Sequence, residues 1–250
     1  MASKSPPPFP SFFGPENTIY RDETGLDPSF EITIDFTKVE FISLLKESEA
    51  SSIFHVNYHD EPRVIKAFHN NEDPGYAGDG VRDLNRTRCE IRAYCRLKSS
   101  KVCDEGFVPE FYGYMSAVDP ALWTHLSVFQ NDIDHPSVIM IEYLPNPIPM
   151  NSVTFSKERF EKVNVGIERI NSALVEHNDP YPKNVLIVPG EPERVVWIDF
   201  DVAIVYPADE SYMGERERGW FKLEAERVKS YGTMLEEDQK NGLPPNTKYY

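Results

Sequence analysis

The stretch from His177 to Asp201, HNDPYPKNVLIVPGEPERVVWIDFD, constrains the fold more than any other part of the chain. Two apolar runs, NVLIV and RVVWIDF, flank the turn-forming PGEPE, which is the pattern of a short β-hairpin. Closing that hairpin carries Asp179 and Asn184 on its leading side toward Asp199 and Asp201 on its trailing side. Carboxylate and amide oxygens gathered in this way suit a hard cation that bridges phosphate groups. The rest of the chain must hold the hairpin and supply partners for the phosphates.

Composition limits how it can do so. A chain of 250 residues with 40% hydrophobic content is enough for one globular unit of two small lobes. A formal charge of -15 excludes a broad nucleic-acid or anionic-membrane surface, because phosphate backbones are held by clustered Lys and Arg. There is no long apolar run of transmembrane length, and the start MASKSPPPFPSFFGP lacks the uninterrupted apolar core of a secretory leader. The sequence therefore reads as soluble and cytoplasmic. Cys89, Cys95 and Cys103 have no CxxC spacing and read as ordinary thiols.

Along the chain, residues 1–30 read as a Pro-rich, flexible opening, a passive tail in the first instance and a docking segment for a protein partner as the alternative. The runs EITIDF, EFISLL, SSIFHVNY and RVIKAF then predict an antiparallel meander. The loop NNEDPGYAGDG leads into VRDLNRTRCEIRAYCRL, where Leu84, Ile91, Tyr94 and Cys95 can share one helical face. FVPEFYGYM and VIMIEYL predict two more strands, separated by an inserted loop whose WTHLSVF serves packing. PNPIP reads as a linker. Beyond it, Val163, Ile167, Ile170 and Leu174 recur at helical spacing, and a last helix is expected around WFKLEAERVKSYGTMLEED. His55 and His59 read as one face of a strand, with no carboxylate spacing to complete a metal site.

The order of these parts resembles the protein-kinase-like superfamily, including the small-molecule kinases related to aminoglycoside and choline phosphotransferases, and the compact kinase-like proteins of filamentous fungi. The resemblance runs from Phe36 to Asp201. It rests on Lys66 in VIKAF, Glu90 in CEIRAY, the hinge-like MIEYLP, HNDPYPKN and the DFG-like DFD. It implies an α+β fold of two lobes: an antiparallel N-lobe sheet with one helix over 31–144, and a reduced, mainly helical C-lobe over 145–250. It also implies ATP and magnesium as cofactors. Lys66 would hold the α- and β-phosphates, with Glu90 orienting it, and the backbone at Glu142 and Leu144 would meet adenine. Asp179 would be the catalytic residue that orients an acceptor hydroxyl, and Asn184 and Asp199 would hold magnesium. His177 would be structural. Asp201, in place of the Gly of DFG, would assist a metal or face water.

Three departures qualify the resemblance. The first turn, LLKESEASS, has no glycine and carries Glu47 and Glu49, whereas the family uses glycines to bring backbone amides to phosphate. Tyr181 stands where the family commonly has a basic residue, and Lys183 reads as a solvated loop lysine. Only about fifty residues follow DFD, which favours a small-molecule acceptor over a peptide. The alternatives are a pseudokinase-like nucleotide-binding or scaffold protein, and a kinase fold turned to a non-kinase reaction.

Overall fold

The computed structural model describes residues 25–78, 82–207 and 214–245. Most of the Pro-rich opening, through residue 24, and part of the loop before the first helix lie outside them. The fold is α+β. A five-stranded antiparallel sheet is formed by β1 (Val39–Glu47), β2 (Ser51–Tyr58), β3 (Glu61–Phe68), β4 (Phe111–Met115) and β5 (Ser137–Glu142) in the order β1-β2-β3-β5-β4. Helix α1 (Arg86–Ser99) joins β3 to β4.

Strand β3 is buried without interruption from Val64 to Phe68 because it is central and covered on both faces. Ile65 and Ala67 face one core, with Phe54, Val56 and Met140. Phe68 faces the other, with Ile91, Tyr94 and Ile139. The first of these cores is roofed by the insertion after β4. Asp119 caps one 3-10 turn there, a second spans Thr124–Phe129, and the Trp123 ring packs 5.2 Å from Phe54 and 5.8 Å from Phe36. The expected packing role of WTHLSVF is thus met by a structured cover, with Leu126 and Phe129 buried beneath it.

EITIDF was expected to be a strand and is not. Glu31 makes a single bridge to Tyr114, after which Asp35 turns the chain by accepting from the Thr37 N–H and hydroxyl at 3.0 and 2.6 Å. Local side-chain bonding defeats the alternating pattern here, although Ile34 and Phe36 still bury. His59 sits beyond β2 in the turn, at a φ of 52°, so His55 and His59 do not share a strand face.

Helix α1 begins at its cap, Asn85, which accepts from the Arg88 N–H at 3.0 Å. Leu84 therefore precedes the helix and is exposed, while Ile91, Tyr94 and Cys95 are buried on it. The PNPIP segment does more than link. Its β6 (Ile148–Pro149) pairs with β8 (Val185–Val188), which pairs with β9 (Arg194–Trp197) to make the expected hairpin part of a three-stranded sheet.

Helix α2 (Lys157–Ser172) buries Val163, Ile167 and Ile170, and Leu174 falls beyond its end at a φ of 60°. After β7 (Val175–Glu176), which pairs with β10 (Ile204–Val205), the long α3 (Glu215–Lys240) packs on α2. Gly232 makes that approach possible, since a Cβ there would lie 2.0 Å from the Phe160 ring. One apolar core runs from Phe68 on the large sheet through Trp197 to Leu235 on α3. Among the described residues, no helix is long and apolar enough to cross a membrane.

Candidate functional site

Strand β3 projects Lys66 toward α1, where its ammonium lies 2.6 Å from Glu90 Oε2 and 2.8 Å from Asp199 Oδ1. Lys66 and Glu90 are 5% and 1% exposed, so this contact is made out of water. Against the burial that would strip its proton, the two carboxylates hold Lys66 above the ordinary lysine value. Burial pushes Glu90 up to about 7, opposed by the Lys66 charge. Burial raises Asp199 as well, but the Lys66 charge and hydrogen bond, with smaller help from Lys46 and His177, hold it below the usual carboxylate value. Sharing one ammonium, the more exposed carboxylate keeps its charge more readily.

Asp199 adopts a left-handed φ of 68° and Asn178 one of 63°, a conformation that Asp and Asn tolerate best among residues with a Cβ. The loop from His177 to Asn184 is built inward from these constraints. His177 is fully buried and its Nε2 meets the Ile198 carbonyl at 3.0 Å, which requires a proton on Nε2. Burial lowers its pKa. Asn184 donates from Nδ2 to the Asp179 backbone carbonyl and to Asp179 Oδ2, each at 2.9 Å, and its own carbonyl accepts from the Ile198 N–H at 2.9 Å. Asn184 is thus joined to Asp179 by its side chain and to the strand leading into Asp199 by its backbone.

The sequence reading missed Glu224. This residue of α3 accepts from the N–H groups of His177 and Asn178 at 3.2 and 2.7 Å, and from Asn171 Nδ2 at 2.7 Å. Burial pushes its pKa up to about 7, against the lowering effect of those donors. A signal was present: Glu224 stands on the same stripe as Val228, Tyr231 and Leu235, at steps of 4, 3 and 4, and all four are buried. A carboxylate on an apolar stripe needs buried donors.

Glu142 and Leu144 were expected to meet a base. The Glu142 N–H donates to the Glu110 carbonyl at 2.9 Å, and its carboxylate forms a bidentate pair with Arg194 at 2.5 and 3.0 Å, so that N–H is already used. Leu144 is buried against Val188 and Val196, with Leu186 and Ile198 at the edge of the same cluster. At the glycine-free β1–β2 turn, the Ser48 hydroxyl accepts from the N–H groups of Ala50 and Ser51 at 3.3 and 3.2 Å. These two donors are answered within the turn.

A pocket of about 490 Å³ opens beside these elements, lined by Asp179, Asp199 and Asp201 together with Arg82, Arg86 and Lys183. Lys183 lies 2.8 Å from Asp179 Oδ2 and Arg86 lies 2.7 Å from Asp201 Oδ2. Tyr181 is outside the pocket lining and exposed. Among the described residues, no group of three or more His, Cys, Asp and Glu side chains could hold a metal ion by itself. A magnesium ion that takes one or two carboxylates and completes its shell with phosphates and water fits this donor set. No protein-family model matches the chain, and no curated protein matches it.

Proposed function

We propose that the chain is a two-lobed, kinase-like phosphotransferase that moves the γ-phosphoryl group of ATP to a hydroxyl on a small molecule. The observation that carries this reading is the Lys66 ammonium shared by Glu90 and Asp199, the second of which lines a pocket together with Asp179. Phosphoryl transfer asks mainly for neutralised charge and an aligned nucleophile, and these groups supply both. Lys66, kept charged by its two carboxylates, binds the non-transferred phosphates. Asp199 and Asn184, with Asp201 beside them, would hold magnesium, which supplies further charge neutralisation when bound.

Asp179 accepts a hydrogen bond from the acceptor hydroxyl and aims its oxygen at the γ-phosphorus. As the new oxygen–phosphorus bond forms, the bridging bond to ADP breaks and ADP leaves with the electron pair. The hydroxyl proton passes to Asp179 or onward to solvent. For this, Lys183 must leave Asp179, an exchange that its exposure makes inexpensive. Asp179→Asn should keep nucleotide binding and lower transfer by roughly 10²-fold or more, measured as ³²P passing from labelled ATP into a metabolite extract. Equal transfer by both proteins removes Asp179 from the mechanism.

A scaffold reading has its own support. The Ala50 and Ser51 amides of the β1–β2 turn are taken by Ser48, and Asp179, Asp199 and Asp201 each already have a cationic partner. Magnesium-dependent ATP binding without labelling of any acceptor would favour it.

A further inference from the structure

The charges that an incoming acceptor meets first differ in sign from the charge of the chain. In the pocket, the side chains of Arg86 and Lys183 are 58% and 59% exposed, whereas those of Asp179, Asp199 and Asp201 are 26%, 30% and 14% exposed. Arg82 adds a third exposed basic residue to the lining. The carboxylates lie deeper and each is engaged: Asp199 by Lys66, Asp201 by Arg86 and Asp179 by Lys183. Asp83, also in the lining, is bound by Arg88 and Arg92. The mouth of the pocket is therefore basic.

We propose that the acceptor carries an oxyanion, phosphate or carboxylate, beside the hydroxyl that reacts, and that Arg86 and Lys183 hold it. This inference rests on the phosphotransferase reading and narrows its substrate class. Among the described residues of the lining, an amine-bearing acceptor would meet like charges and no carboxylate without a cationic partner. An oxyanion can compete with the aspartates for these cations, because each pair is exposed on its cationic side and such pairs contribute little. The Arg86 guanidinium suits an oxyanion in particular, since its fork binds two oxygens at once. The net charge of -15 does not oppose this at close range, because beyond roughly 8 Å physiological salt screens the distant acids. A volume of about 490 Å³ is that of a small-molecule site.

The test is calorimetric titration of inorganic phosphate, acetate and choline, each into protein saturated with magnesium and a non-hydrolysable ATP analogue, so that the γ-phosphate position is filled. Phosphate or acetate should bind at least about tenfold more tightly than choline, and whichever is tighter identifies the oxyanion. The Arg86→Ala/Lys183→Met double variant should lose that preference, while Arg86→Lys/Lys183→Arg should largely retain it. Melting curves establish that each variant is folded. Choline binding as tight as the anions, or an anion affinity unchanged in the double variant, overturns the proposal. Failure to bind the nucleotide analogue would instead overturn the phosphotransferase reading. The same anion titrations on the free protein would then still decide whether the basic mouth is a binding site.

Discussion

The ion pairs at the back of the site and those at its mouth use the same residue types at nearly the same distances. Lys66–Glu90 is 2.6 Å long, Arg86–Asp201 is 2.7 Å and Lys183–Asp179 is 2.8 Å. They differ in their surroundings. The first is closed off between the sheet and α1, where neither charge can turn to water. The outer two place an exposed cation against a more sheltered carboxylate. Distance alone therefore does not rank them. The inner pair fixes the relation of helix to sheet, and the outer pairs can open when another partner arrives.

The largest expected effect comes from breaking the inner pair on one side only. Lys66→Met leaves Glu90 buried without a partner and should cost about 3–5 kcal/mol in urea unfolding at pH 8. The loss should be smaller at pH 5, where Glu90 takes up a proton. Lys66→Met/Glu90→Gln should recover much of it, since a buried pair replaced on both sides is close to neutral. A double variant as unstable as the single one would mean that the pair's packing, rather than its charge, matters.

Next in size is Glu224→Ala, which leaves two backbone N–H groups and the Asn171 amide without their acceptor. It should cost about 3 kcal/mol, read as a fall of roughly 6–12 °C in melting temperature. The loop bearing Asp179 should also gain hydrogen exchange.

The pH profile sharpens the same comparison. The folded-state pKa of Glu224 is raised from 4.5 to about 7, so the folded protein binds the extra proton. Its stabilising contribution is full below pH 4.5 and is lost as pH rises through 7. Glu90 acts in the same direction. Glu224→Gln should flatten part of the decline in stability over this window, and an unchanged slope would assign it elsewhere.

The smallest effect belongs to the mouth. Arg86→Ala should change stability by less than about 1 kcal/mol, because its pair is exposed on the arginine side. A loss comparable to that of Lys66→Met would erase the distinction between the two layers.

Several elements were legible because their causes are local. Apolar runs predicted β2, β3, β4 and β5, and periodicity predicted α1 and α2. The PGEPE turn between two apolar runs predicted the hairpin of β8 and β9. EITIDF misled because Asp35 turns the chain with its own side chain, a competition that alternation does not register. PNPIP became β6 because a neighbouring strand, distant in sequence, offered it a ladder.

By itself, then, the sequence determined which oxygen-bearing and basic residues stand at which positions, and that Asp179 and Asn184 must turn back toward Asp199. Residue type, apolar period and turn chemistry are encoded within a few positions, and they needed no partner. Only the tertiary structure decided that Lys66 is shared between Glu90 and Asp199, 24 and 133 positions away. It also decided that Glu224 holds the loop of Asp179, that Ser48 takes the Ala50 and Ser51 amides of the first turn, and that the mouth of the pocket is basic. Those outcomes depend on burial and on which distant groups meet, because a charge counts in proportion to the water removed around it.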